Sequence, residues 1–154
     1  LITLQFTHDH SEKENNTLLK ELHTLINSSE DSINFYLKHH PRFNNEVHLE
    51  NLFALENVYQ APDDLDVCFD ICSLHATAYS TSTFEAALLG IPTFFINPLK
   101  KYDYFLSDFQ YPLHYSLVDY LNQEIYEISS KKVREWASLY YQSFNADQFL
   151  KLLK

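Results

Sequence analysis

The segment that most constrains this chain is Ile91-Pro92-Thr93-Phe94-Phe95-Ile96-Asn97, a nearly unbroken apolar run directly after the only glycine, Gly90. A strand with one wet face alternates apolar and polar residues. A run that is apolar throughout must be covered on both faces, as in the parallel sheets of α/β proteins. Pro92 is tolerated there only at the strand's beginning. Just upstream, residues 81–89 read as a helix, and Gly90 stands where a left-handed residue closes a helix.

The same alternation of strand and helix patterns runs along the chain. Residues 2–7 read as a strand. From Ser11 to about Ile26 the residues Leu18, Leu19, Leu22, Leu25 and Ile26 recur at helical spacing, and Ser11 with Glu14 forms a capping-box pattern at the start. Residues 33–38 form a second strand that stops at Pro41, 47–55 a loop with a short helix, and 57–60 a third strand. Pro62 then opens a short acidic helix over 63–69. Residues 71–78 give a fourth strand, and 113–115 a short sixth; helices are expected over 116–127, 130–144 and 146–153. Strands separated by helices predict a Rossmann-like three-layer α/β domain, with a mostly parallel sheet of five to six strands and helices on both faces. All of residues 1–154 belong to that one domain. The chain begins inside a strand pattern and contains no Met, so the reading takes it as the C-terminal half of a larger two-domain protein.

Composition narrows the function. With 45% hydrophobic and 16% aromatic residues, disorder is excluded. A formal net charge of −10 opposes a nucleic-acid-binding surface, which needs a basic face. A few donors gathered in one cleft can still hold a small anion. No apolar run is long enough to insert into a bilayer, and no signal peptide is visible. Cys68 and Cys72, four apart with only His75 nearby, fit two buried free thiols better than a metal site or a disulfide framework. No metal and no cofactor are expected.

In open parallel sheets ligands bind beyond the carboxyl ends of the strands, near the point where the strand order reverses. Two segments fall there. Lys38-His39-His40-Pro41-Arg42 ends the second strand and gathers imidazole and guanidinium donors suited to phosphate oxygens, on a loop stiffened by proline. Ser80-Thr81-Ser82-Thr83 follows the fourth strand and carries more hydroxyls than one helix cap requires. Free amides at a helix start favour anions. Glu85, one turn further on, suits a ribose or sugar hydroxyl. Either segment alone is equally well a solvated loop or a capped helix. His75, inside the fourth strand, either reaches the cleft or, more commonly for such a residue, is a buried hydrogen-bonded histidine. His10, His23, His48 and His114 read as surface groups. Asp63, Asp64 and Asp66 fit no Ca²⁺ loop and read as an acidic helix start. Trp136, Leu139 and Tyr140 read as packing residues. Asp103 and Asp108 lie in a Tyr/Phe-rich stretch after the fifth strand.

A His-Pro pair after one strand, then a Ser/Thr cluster, then Phe84-Glu85-Ala86 and Gly90-Ile91-Pro92 before an apolar strand, resembles the C-terminal domain of GT-B-fold glycosyltransferases. The likeness spans roughly residues 1–110 and is nearest to bacterial capsule, lipopolysaccharide and polysialic-acid-type transferases. UDP-GlcNAc 2-epimerases share the layout, but their Ser-Gly-Gly turn is missing here. The resemblance implies a nucleotide-sugar donor as ligand. It places His40 at the donor phosphate or leaving group as the catalytic residue, Ser80, Thr81, Ser82 and Thr83 at the phosphates, and Glu85 at the ribose or sugar. His8 and Arg42 approach from the neighbouring loops. It also implies a partner N-terminal acceptor-binding domain absent from this chain, a cytoplasmic parent peripheral to the membrane's inner face, and a domain that is inactive alone. A polyol-phosphate transferase, an epimerase or a non-catalytic binding domain on the same scaffold are the alternatives.

Overall fold

The computed structural model describes residues 1–7, 10–40, 49–100, 103–113 and 115–141. Five strands, β1 (Ile2–Thr3), β2 (Phe35–Lys38), β3 (Val58–Gln60), β4 (His75–Thr77) and β5 (Thr93–Phe95), form one sheet in the order β3-β2-β1-β4-β5. Every pairing is parallel, with Ile2 opposite Leu37 and Ala76, Phe35 opposite Val58, and His75 opposite Thr93. The chain is therefore a Rossmann-like three-layer α/β domain. Its strand order reverses between β1 and β4, which creates a crevice at their carboxyl ends.

Side-chain alternation splits the sheet into two faces. Ile2, Leu4, Phe35, Leu37, Ala76 and Ala78 point to the face covered by α1 (Glu12–Asn27), where Leu18, Leu22 and Ile26 pack. Ser11 starts that helix with the capping box its sequence announces: its hydroxyl accepts from the Glu14 amide at 3.4 Å, and Glu14 Oε2 accepts from the Ser11 amide at 2.8 Å. α2 (Glu50–Phe53) places Leu52 in the same core. The opposite face is covered by α3 (Leu65–Asp70) and α4 (Ser82–Leu88), which bury Cys68, Phe69 and Ala86. Asp64 caps α3 by accepting from the Asp66 amide at 2.9 Å, so the acidic cluster is a helix start. Gly90 closes α4 at φ +77. Its amide bonds Ala87 O and the next amide, of Ile91, bonds Ala86 O, both at 2.9 Å, the pairing of a Schellman end.

A second core of aromatic residues joins α4 to α5 (Tyr104–Ser107) and α6 (Gln123–Ala137). Trp136 stacks on Phe84 with centroids 5.0 Å apart and donates from Nε1 to Phe109 O at 2.7 Å.

The structure departs from the sequence pattern at several elements. Residues 71 and 72 finish the α3 end rather than begin a strand, because the Ile71 amide still bonds Phe69 O. No sixth strand forms at Leu113 or Tyr115 (His114 lies outside the described residues), so the described sheet has five strands, all parallel. The helices expected to break near Ile128 are one, α6. Asn122 starts it by accepting from the amides of Glu124 and Ile125, and Ser129 packs inside it fully buried. Before it only a 3-10 turn, Asp119–Leu121, forms. α5 has no counterpart in the sequence reading. Leu139 is 72% exposed and does not pack, whereas Trp136 does. The helix expected over 146–153 lies outside the described residues.

Candidate functional site

The carboxyl ends of β1, β2 and β4 enclose a cleft of about 290 Å³. Thr3, Leu4 and Gln5 form its floor, Lys38, His39 and His40 one wall, and Ser80, Thr81, Ser82 and Glu85 the other, with Asp63 and Leu65 at the rim. The two segments singled out in the sequence thus meet in one place. His40, Ser80, Thr81, Ser82 and Glu85 line the cleft together. Thr83 does not. It is fully buried on the inner side of α4, and its Oγ1 has no hydrogen-bond partner. His8, Pro41 and Arg42 lie outside the described residues.

The helix start differs from the expectation of free amides. Ser80 folds back on the turn: its Oγ accepts from the Ser82 amide at 3.3 Å, and its carbonyl accepts from the Thr83 amide at 3.1 Å. The Phe84 amide is taken by Thr81 O at 2.9 Å. The amides of residues 82–84 are therefore used within the turn. The Thr81 side chain makes no capping bond and is exposed to the cleft.

Charge in the cleft is balanced against net anion attraction. Lys38 is the one fixed cation among the described lining residues, against the carboxylates of Asp63 and Glu85. Its Nζ donates to Asp63 O at 2.7 Å, which holds the ammonium at the β2 edge. Burial, and secondly the nearby Lys38 charge, push the His39 imidazole below its ordinary pKa, which favours the neutral ring. An anion here would be held by directed donors rather than by an excess of positive charge.

Beneath the hydroxyl wall lies a polar chain that the sequence pointed to only through His75. The His75 imidazole is 0% exposed, and burial pushes its pKa down to about 3, so the ring is neutral. Its Nδ1 lies 2.9 Å from Thr93 Oγ1, and its Nε2 lies 2.9 Å from Thr3 Oγ1 and 3.3 Å from Ser82 Oγ. Ser82 Oγ donates to Ser80 Oγ at 2.7 Å. On the far side, the Thr93 amide donates to the buried Tyr111 hydroxyl at 2.6 Å. The missed signal is periodic. Thr3, His75, Thr77 and Thr93 are the polar positions of otherwise apolar strands, and by register they share one face of the sheet.

Above the sheet, His10 also departs from expectation. It is buried, with Nδ1 3.2 Å from Asn15 Oδ1 and Nε2 2.8 Å from the Tyr79 hydroxyl, and so ties the loop after β1 to the loop after β4. The Tyr104 hydroxyl donates to Tyr79 O at 2.5 Å from α5. A neighbouring cavity of about 280 Å³ lies past β5, lined by Asn97, Lys100 and Asp103 among others. The opposite, amino-terminal ends of the strands hold an apolar cavity of about 310 Å³ walled by residues such as Ile2, Leu25, Phe35 and Tyr120. It gathers few groups able to do chemistry and sits at the wrong ends of the strands for ligand binding in this fold.

Both cysteines are free. Cys68 is buried against Pro62 O and Asp64 O, and Cys72 is only partly buried. Among the described residues, no cluster of three or more His, Cys, Asp or Glu is placed to hold a metal ion, and no helix is long and apolar enough to cross a membrane. Compared with family models, curated proteins and solved structures, the chain matches none.

Proposed function

We propose that this domain holds the phosphates of a nucleotide-sugar donor in the cleft between β1, β2 and β4, as the donor-binding half of a glycosyltransferase of surface-polysaccharide synthesis. One observation carries the reading: two segments some 40 residues apart, His39-His40 and Ser80-Thr81-Ser82 with Glu85, line a single cleft of about 290 Å³ at the reversal of the strand order. Nucleotides bind at that position in doubly wound sheets.

The chemistry of the walls divides accordingly. Hydroxyl groups of Ser80 and Thr81, with the His40 imidazole and the Lys38 ammonium, supply donors to phosphate oxygens. Glu85 and Asp63 supply acceptors for ribose or sugar hydroxyls. Transfer from such a donor requires stabilising charge on the departing phosphate, which positioned donors provide. The acceptor and the base that activates it come, on this reading, from a second domain of the parent, so the domain binds but does not turn over by itself.

Titration calorimetry with CMP, CDP, UDP and GDP is the test. Saturable binding of one nucleotide, weakened by His40→Ala and by Thr81→Val, is the expected result. Absence of binding to all four at millimolar concentration would sink the proposal. Product analysis with the parent then separates sugar transfer from polyol-phosphate transfer or epimerisation.

A further inference from the structure

The chain of hydrogen bonds under the cleft has a direction, and it follows from counting protons. A neutral imidazole has one N–H and one bare nitrogen. A serine hydroxyl has one proton to give. Ser82 gives its proton to Ser80, over 2.7 Å, so towards His75 Nε2 and Thr3 Oγ1, both at 3.3 Å, Ser82 Oγ acts as acceptor. A hydrogen bond from Nε2 to Ser82 then requires the proton on Nε2, where Thr3 Oγ1 at 2.9 Å shares it as a second acceptor. Nδ1 is left bare and accepts from Thr93 Oγ1 at 2.9 Å. At the other end, Ser80 Oγ accepts both from the Ser82 hydroxyl and from the Ser82 amide. Its two lone pairs are engaged, and only its proton is left, at the wall of the cleft.

We propose that His75 is a positioning residue: set as the Nε2–H tautomer by Ser82, whose own proton is committed to Ser80, and matched at Nδ1 by Thr93, it acts through Ser82 to make the Ser80 hydroxyl a fixed donor into the cleft. A wall of this kind favours groups that present lone pairs, such as the non-bridging oxygens of a diphosphate. It disfavours ammonium or amide N–H groups, which can only donate, at the same point. The chain runs through the interior of the sheet, from β5 through β4 and β1 to the start of α4, and aligned bonds of this sort strengthen one another. Ligand recognition at the wall is thereby tied to Thr93, a residue on β5 that does not line the cleft.

The inference rests on the phosphate reading of the cleft, but its first test does not. Long-range ¹H–¹⁵N correlation of the ligand-free, ¹⁵N-labelled domain reports which nitrogen of His75 carries the proton. The expected result is a single Nε2–H tautomer across pH 5–8; an Nδ1–H tautomer, or an imidazolium, overturns the proposal. The second test uses inorganic pyrophosphate as probe, with Thr93→Val and Ser82→Ala, two substitutions of similar volume. Thr93→Val removes the donor to Nδ1 but leaves the Ser82 acceptor, so His75 is expected to stay Nε2–H while pyrophosphate weakens by up to about fivefold, the worth of one net hydrogen bond. Ser82→Ala is expected to weaken pyrophosphate similarly and to release the His75 tautomer into a mixture, because the Thr3 hydroxyl can either accept from Nε2 or donate to it. Unchanged affinity in Thr93→Val, with the wild type binding, refutes the coupling. If the wild type itself does not bind pyrophosphate, the phosphate reading falls, and the tautomer alone decides the direction of the chain.

Discussion

Acidification from pH 7 to pH 5 should destabilise this domain through His75 alone by about 2 kcal/mol. The folded state takes up the His75 proton only near pH 3, whereas the unfolded chain takes it up near 6.5. Between those values the unfolded state binds more protons, so stability rises with pH and is lost on acidification. At pH 5 the unfolded chain gains RT ln(1 + 10^1.5), about 2 kcal/mol, and the folded chain almost nothing. The loss stops growing below pH 3, at an upper limit of about 5 kcal/mol for the 3.5-unit gap. Burial is the cause: the ring is 0% exposed between β1, β5 and α4, with both nitrogens already bonded to hydroxyl oxygens. Trp136 is the only tryptophan and is buried against Phe84, so its fluorescence follows urea unfolding of the same domain. Urea midpoints at pH 7 and 5 should be compared between wild type and His75→Gln. Every other group is common to both proteins and cancels in the difference. The wild type should lose about 2 kcal/mol more than the variant over this interval. Equal losses would refute the buried, neutral imidazole and the assignment built on it.

Gly90→Ala places a Cβ at φ +77, 2.2 Å from Arg134 Nε and 2.6 Å from Ser130 Oγ, and must displace the guanidinium whose Nη2 bonds Leu89 O. It should cost about 1–2 kcal/mol in urea unfolding, the left-handed penalty. Trp136→Ala removes a 5% exposed ring and its bond to Phe109 O, and should cost about 3–5 kcal/mol, read by circular dichroism because the fluorophore is gone. Ser11→Ala breaks the capping box of α1 and should lower the urea-derived stability by about 1 kcal/mol.

The fold was legible because it depends on periodicities that local sequence carries. Short apolar runs marked the strands, and Ser11 with Glu14, Asp64 and Gly90 marked helix ends whose capping bonds form in the structure. What failed were features set by tertiary neighbours. Ser129 and Ser130 looked like a break between helices, yet Ser129 is accepted inside α6 because α6 packs on α4. Leu113 and Tyr115 lack a partner strand, so their apolar character goes into the aromatic core instead. His10 looked like a surface group because nothing in its own segment announces Tyr79, 69 residues away.

The candidate site was legible in its walls and not in its base, for a physical reason. Surface-facing hydroxyls and imidazoles cluster in sequence, so Ser80, Thr81 and His40 could be found by inspection. The chain beneath them draws one residue from each of β1, β4, β5 and α4, and its logic appears only when register puts Thr3, His75 and Thr93 on one face. Polar groups here are not the stable choice by default. An unpaired buried polar group costs about 1–3 kcal/mol, and apolar side chains of similar volume would fill the same space without that risk. Thr83, next in the same turn, shows the risk realised, with a buried hydroxyl that has no partner. Thr3, His75, Thr93 and Ser82, by contrast, are bonded to one another from the aromatic core up to the cleft. A local rule is broken four times in one connected path that ends at the wall of the cleft, and departures of this kind are where natural sequences give up stability in favour of a site.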